Sequence, residues 1–137
     1  MPRFSLPLLA ICAASTSPAL AVEPGEPPLT ARSAETGLPL TPEQESVDFV
    51  HADLSWRIDP ETQSIAGDAM LTLQVEKPIA TIQFDLDRNL PVSAIDVDGK
   101  PLSASAWNNS DGLLAIRLPR GYRAGEELKV RIRYAGT

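Results

Sequence analysis

The chain has 137 residues, 18 Asp and Glu against 12 Lys and Arg for a formal charge of −6, one His and one Cys. That length holds one domain with a short tail, and the acidic balance excludes a general phosphate-backbone binder, whose affinity comes from clustered Lys and Arg; nucleic acid is not an expected partner. A single cysteine excludes a disulfide framework and a Cys-based zinc site.

Arg3 gives a positive start, Phe4 to Ala14 is mostly apolar, and Ala19-Leu20-Ala21 places small residues where a signal peptidase reads them. Residues 1–21 are therefore predicted to be a secretory signal peptide cleaved near Ala21, and the product to be secreted or periplasmic. The apolar run falls short of the ~20 residues that cross a bilayer, and Pro7 interrupts it, so no membrane span is expected in the mature chain. Cys12 after Leu9-Ala10-Ile11 leaves a lipoprotein signal as the alternative, against which stands the bulk of Ile11. Residues 22–47 hold Pro24, Pro27, Pro28, Pro39 and Pro42, two glycines and five glutamates without apolar periodicity. They read as a Pro/Glu-rich linker.

From Phe49 the apolar period becomes two. Val50, Ala52, Leu54, Trp56 and Ile58 alternate with His51, Asp53, Ser55 and Arg57, which predicts a strand with Trp56 in the core. Asp59-Pro60-Glu61-Thr62 supplies turn chemistry, and Ser64 to Val75 alternates again, so the first two strands form an antiparallel hairpin. Gly67 inside the second marks a bulge or the close approach of another backbone. Lys77-Pro78 stops that strand. Ile82, Phe84 and Leu86 define a third strand, and Val92 to Val97 a fourth. Asp98-Gly99 tolerates the positive φ angles of a tight turn, after which Leu102, Ala104 and Ala106 lie on one side of a fifth strand. Asn108 to Gly112 reads as a turn, Leu114, Ile116 and Leu118 as a sixth strand, Pro119 to Glu126 as a loop, and Leu128, Val130, Ile132 and Tyr134 as a seventh strand. Seven short strands without a helical period predict an all-β antiparallel β-sandwich over residues 48–137.

Chemistry-bearing patterns are sparse. His51 is the sole imidazole, on the polar side of a strand, whereas a metal site needs several converging ligands. The pairs Asp85/Asp87 and Asp96/Asp98 read as polar faces ending in turns rather than as acid/base pairs. No G-x-S-x-G, H-E-x-x-H or phosphate-cradling glycine loop occurs. Trp107, beside Asn108, Asn109 and Asp111, either packs at the core rim or forms an exposed aromatic and polar contact for a sugar or a protein. Asn108-x-Ser110 matches a glycan acceptor triplet, which matters only in a host that glycosylates.

Several fragments in order resemble a known family. Phe49-Val50-His51-Ala52-Asp53-Leu54, then Arg57-Ile58-Asp59-Pro60 through Gly67, then Gly67-Asp68-Ala69-Met70-Leu71-Thr72-Leu73, are similar to the opening of the N-terminal domain of M1-family zinc aminopeptidases, the aminopeptidase N and leukotriene A4 hydrolase group. Ile82 to Leu86, Val97 to Leu102, and Ala124 to Leu128 followed by Val130, Ile132, Tyr134 and Gly136-Thr137 agree in order and spacing. The resemblance implies an all-β domain that packs beside a thermolysin-like catalytic domain, supplied in cis or in trans, and helps to shape its active-site cavity. The family's H-E-x-x-H and G-x-M-E-N segments have no counterpart in this sequence, which stops before the catalytic domain. The resemblance therefore implies no catalytic, metal or substrate-binding residue here, no cofactor in this chain, and zinc only in that catalytic domain. The alternative from another class is an independent secreted β-sandwich for adhesion or carbohydrate binding, built on Trp107, Asn108, Asn109 and Asp111.

Overall fold

Period-two alternation dominates the chain, and the computed structural model, which describes residues 39–137, turns it into eight antiparallel strands. The predicted signal peptide, Cys12 and residues 22–38 of the predicted linker lie outside the described residues. The strands are β1 (Val47–Asp59), β2 (Ser64–Val75), β3 (Ile79–Asp85), β4 (Val92–Val97), β5 (Lys100–Pro101), β6 (Trp107–Ser110), β7 (Leu113–Tyr122) and β8 (Glu127–Gly136). Two short 3₁₀ turns, Gln44–Ser46 and Ala104–Ala106, are the only helical elements among the described residues. The fold is the expected all-β sandwich: a five-stranded sheet in the order β1-β2-β8-β4-β5 and a three-stranded sheet in the order β3-β7-β6.

Turn chemistry sets the hairpins. Asp59 Oδ1 accepts hydrogen bonds from the backbone N–H of Glu61 and Thr62 at 3.0 and 3.3 Å, closing the β1–β2 connection. Asp98-Gly99 and Asp111-Gly112 both adopt positive φ, at 49° and 74° and at 59° and 79°. Two consecutive residues of that kind match the right-handed twist of the strands they join. The chain before β1 is tied down as well: the Ser46 carbonyl accepts from Glu76 N and Lys77 N, and Gln44 Nε2 donates to Asp85 Oδ2 at 2.9 Å.

The core comes from inward positions of both sheets. Leu73, Val75, Leu128 and Val130 from the larger sheet and Ile82, Leu114 and Ile116 from the smaller are completely buried, and Ile95 and Val97 of β4 are nearly so. Fully burying side chains of this kind stabilises the fold by about 1.5–3 kcal/mol each.

Three segments depart from the sequence prediction. The expected fifth strand ends at Pro101, and Ala104 and Ala106 belong to a 3₁₀ turn; with only small side chains to bury, that stretch gains little from pairing. Asn108, Asn109 and Ser110, expected in a turn, extend β6, because Asp111-Gly112 alone suffices for the reversal. Strand β7 continues through Pro119 to Tyr122 where a loop was expected. The register between β3 and β7 shifts there, from Thr81 opposite Arg117 to Ile79 opposite Tyr122, and an irregularity tolerates a proline without a ladder N–H.

That extension delivers Tyr122 to the junction of the two sheets. Its hydroxyl donates to Asp98 Oδ2 at 2.7 Å, while Asp98 Oδ1 accepts from Lys129 N at 3.0 Å. Arg120 lies over the ring, with Cζ 3.7 Å from its centroid. Burial first, then the bond to the Asp98 carboxylate, push the Tyr122 phenol up to about 12. A group that holds its proton more tightly in the folded chain contributes stability fully below its ordinary value of 10.0 and loses it as pH rises toward 12. Denaturant midpoints measured from pH 9 to 12 are expected to fall more steeply for the native chain than for Tyr122→Phe, and the ultraviolet phenolate titration to lose its later step in that variant. Equal slopes would place Tyr122 in solvent.

Candidate functional site

The inward face of β1 is where the sandwich is incomplete. Across the β1–β2 ladder Ala52 stands opposite Leu71, Leu54 opposite Ala69, Trp56 opposite Gly67, and Ile58 opposite Ile65. These β2 residues face the core side, so their β1 partners do too. Three strands do not reach across five, and β1 stays open along its length, with Phe49 57%, Trp56 55% and Ile58 68% exposed. The predicted core position of Trp56 is thereby corrected: the side chain has the orientation expected of it, but the described residues lay no second sheet above it. The register also shifts between Phe49 and His51, so that Val50 is the extra residue of a bulge and Phe49, opposite Leu73, shares the inward face with Ala52. Strict alternation had placed Val50 there.

At one end this open flank deepens into a cleft between the sheets of about 460 Å³, lined by Leu40, Phe49, Leu71, Phe84, Leu86 and Tyr134 among others. Phe49 meets Phe84 of the other sheet edge-on, with centroids 6.1 Å apart. From the border of this cleft Tyr134 of β8 extends over Gly67, its ladder partner, and its hydroxyl accepts from Trp56 Nε1 at 2.9 Å. The close approach predicted at Gly67 exists, but a tyrosine ring makes it, not a backbone, and the β1–β2 ladder runs through Gly67 without a bulge. A Cβ there would collide with that ring.

The opposite face of the large sheet is polar. Arg131 makes a paired contact with Asp68, Nε to Oδ1 at 2.8 Å and Nη2 to Oδ2 at 2.5 Å, and Arg133 Nη2 reaches Asp96 Oδ2 at 2.5 Å. The hydrogen bond from Arg131 holds the Asp68 carboxyl below the ordinary carboxylate range. His51 is exposed and bonds to Asp53 at 3.1 Å. Among the described residues no three His, Cys, Asp or Glu side chains converge to hold a metal ion.

The residues around Trp107 divide between surfaces. Trp107 is half-buried and packs against the core. Asn109 turns inward, its amide donating to the carbonyls of Leu86 and Asp87 at 3.1 and 3.4 Å. Asn108 points the other way and donates to the Ser110 hydroxyl at 2.8 Å, and Asp111 occupies the exposed turn. Sequence reasoning singled out this cluster and passed over the β1 flank, because an apolar alternation reads the same whether its cover comes from its own chain or from another.

Fold and site together define the class: an all-β sandwich whose larger sheet keeps one apolar flank open. No family model matches the chain. Solved structures do: the M1 zinc metallopeptidase from Deinococcus radiodurans, and point mutants of M1 zinc metallopeptidase bound to a Tyr-Ser-Ala substrate (the Deinococcus enzyme) and to L-arginine, each 31% identical with a TM-score of 0.61 over 69% of this chain. The chain spans 21% of the length of each of them. The similarity read from the sequence is thus present in the fold, which is consistent with an N-terminal domain of M1 aminopeptidases.

Replacing Gly67 with Ala forces Tyr134 off the sheet and breaks its bond to Trp56, an overpacking change expected to cost about 1–3 kcal/mol. Urea denaturation checks the cost, and in a Trp107→Phe background a change in tryptophan emission or quenching reports the release of Trp56; a substitution that alters neither stability nor Trp56 fluorescence would mean that Tyr134 does not cover Gly67.

Proposed function

We propose that this chain serves as the N-terminal scaffold domain of a secreted M1-like zinc metalloaminopeptidase, performing no turnover itself and shaping the active-site cavity of a catalytic unit that carries the zinc. The observation that supports this most is the open inward flank of β1. Phe49, Leu54, Trp56 and Ile58 form a continuous apolar strip leading into the interlayer cleft, and exposed strips of this extent mark surfaces that another protein covers. Similarity to M1 zinc metallopeptidases, of whose length this chain spans a fifth, supplies the kind of partner. Export is the part of the proposal that rests on Arg3, the apolar run from Phe4 and Ala19-Leu20-Ala21. Among the described residues no helix is long and apolar enough to cross a membrane. The adhesion or carbohydrate-binding alternative has less support, since Trp107 and Asn109 are occupied by packing and by backbone carbonyls.

Titration calorimetry of the chain into an M1 catalytic domain expressed without its own β-domain tests the proposal. Saturable binding that Leu54→Asp or Ile58→Asp abolishes is expected, and the chain alone, with zinc added, is expected to leave aminoacyl reporter substrates intact. Unaided cleavage of the reporter, or binding indifferent to both substitutions, contradicts it.

A further inference from the structure

The backbone edge of β1 presents a second, separate surface. Among the described residues β1 pairs only with β2, so its other side offers an unpaired ladder along Val47–Asp59. Unpaired edges of that length recruit another strand unless something blunts them. Here the bulge between Phe49 and His51 interrupts one end only, leaving His51 to Asp59 regular.

The charge order along this stretch selects the recruit. His51, Asp53, Ser55, Arg57 and Asp59 share the polar face. Laid antiparallel against a second copy about a two-fold axis through Ser55, each Arg57 stands opposite Asp53 of the other copy and each His51 opposite Asp59. On the apolar face the same register sets Leu54 beside Trp56 and Ala52 beside Ile58. Displacing one strand by two residues either way spoils this: one shift sets His51 opposite Arg57, and the other sets Asp53 opposite Asp59. Opposite charges facing each other across a ladder stabilise it, and like charges destabilise it. Among the described residues the Arg57 side chain makes no ion pair or hydrogen bond, so its guanidinium can serve a second chain.

We propose that β1 is a homodimerisation edge: two copies of this chain pair β1 with β1 antiparallel about Ser55, joining their large sheets into one ten-stranded sheet. The interface is isologous, as a two-fold requires. It is built on backbone groups and the polar face and lays no second layer over the inward flank of either copy, so it stands whether or not that flank meets a catalytic unit.

Sedimentation equilibrium of the full 137-residue chain is expected to show a monomer–dimer equilibrium that weakens with salt. Asp53→Arg and Arg57→Asp, each alone, place like charges opposite each other and are expected to raise the dissociation constant about tenfold or more, whereas the double exchange restores it. In a Cys12→Ser background, Ser55→Cys is expected to form a disulfide-linked dimer under mild oxidation, and Gln74→Cys on the neighbouring strand is not. Circular dichroism confirms that each variant is folded. A chain that stays monomeric, single exchanges without effect, a double exchange that fails to restore association, or a dimer that Ser55→Cys does not cross-link would each overturn the proposal.

Discussion

A sheet of three strands laid on a sheet of five cannot bury all of the larger sheet's inward side chains, and the properties of this domain follow from that mismatch. Under the smaller sheet, β2, β4 and β8 contribute side chains with almost no exposure, such as Leu73, Ile95 and Leu128. Beyond its edge the same alternation continues into β1, where Trp56 and Ile58 remain more than half exposed. Burial of a large apolar side chain stabilises by about 1.5–3 kcal/mol, so the flank of β1 withholds several such contributions from the isolated fold. A protein that covers Leu54, Trp56 and Ile58 gains them on association, less the cost of ordering the interface.

What keeps this open flank in one arrangement is polar and aromatic contact. Tyr134 reaches across Gly67 to Trp56, fixing an indole that would otherwise be free to rotate. On the other face the Asp68–Arg131 and Asp96–Arg133 pairs tie β2, β8 and β4 together across the ladder. At the junction of the sheets Tyr122, Asp98 and Lys129 close a further link. Exposed ion pairs contribute little each, about 0–1 kcal/mol; their effect here is on register, which decides which side chains reach the flank at all.

Most of the architecture was legible from period and turn chemistry. Ser64 to Val75 and Val92 to Val97 fall where alternation puts them, and Asp98-Gly99 turns as its two residues require. Errors arose where two signals competed. Ala104 and Ala106 alternate, but their side chains are too small to reward pairing, and the backbone takes a 3₁₀ turn. Pro119 normally ends a strand, yet a register shift absorbs it and β7 continues to Tyr122. The bulge at Val50 was hidden because an extra residue in an apolar stretch leaves no gap in composition. The candidate site itself was the least legible element, since the residues of β1 carry no mark of whether their cover lies in the same chain.

Among the described residues nothing covers the inward face of β1, and Trp56 reports on that openness directly. In a Trp107→Phe variant, Trp56 is the only indole left, and acrylamide quenching of its fluorescence at dilutions where the chain is monomeric measures its contact with water. The account predicts red-shifted emission and ready quenching. Blue-shifted emission that resists acrylamide in the monomer would show that the flank is already covered, and would contradict it.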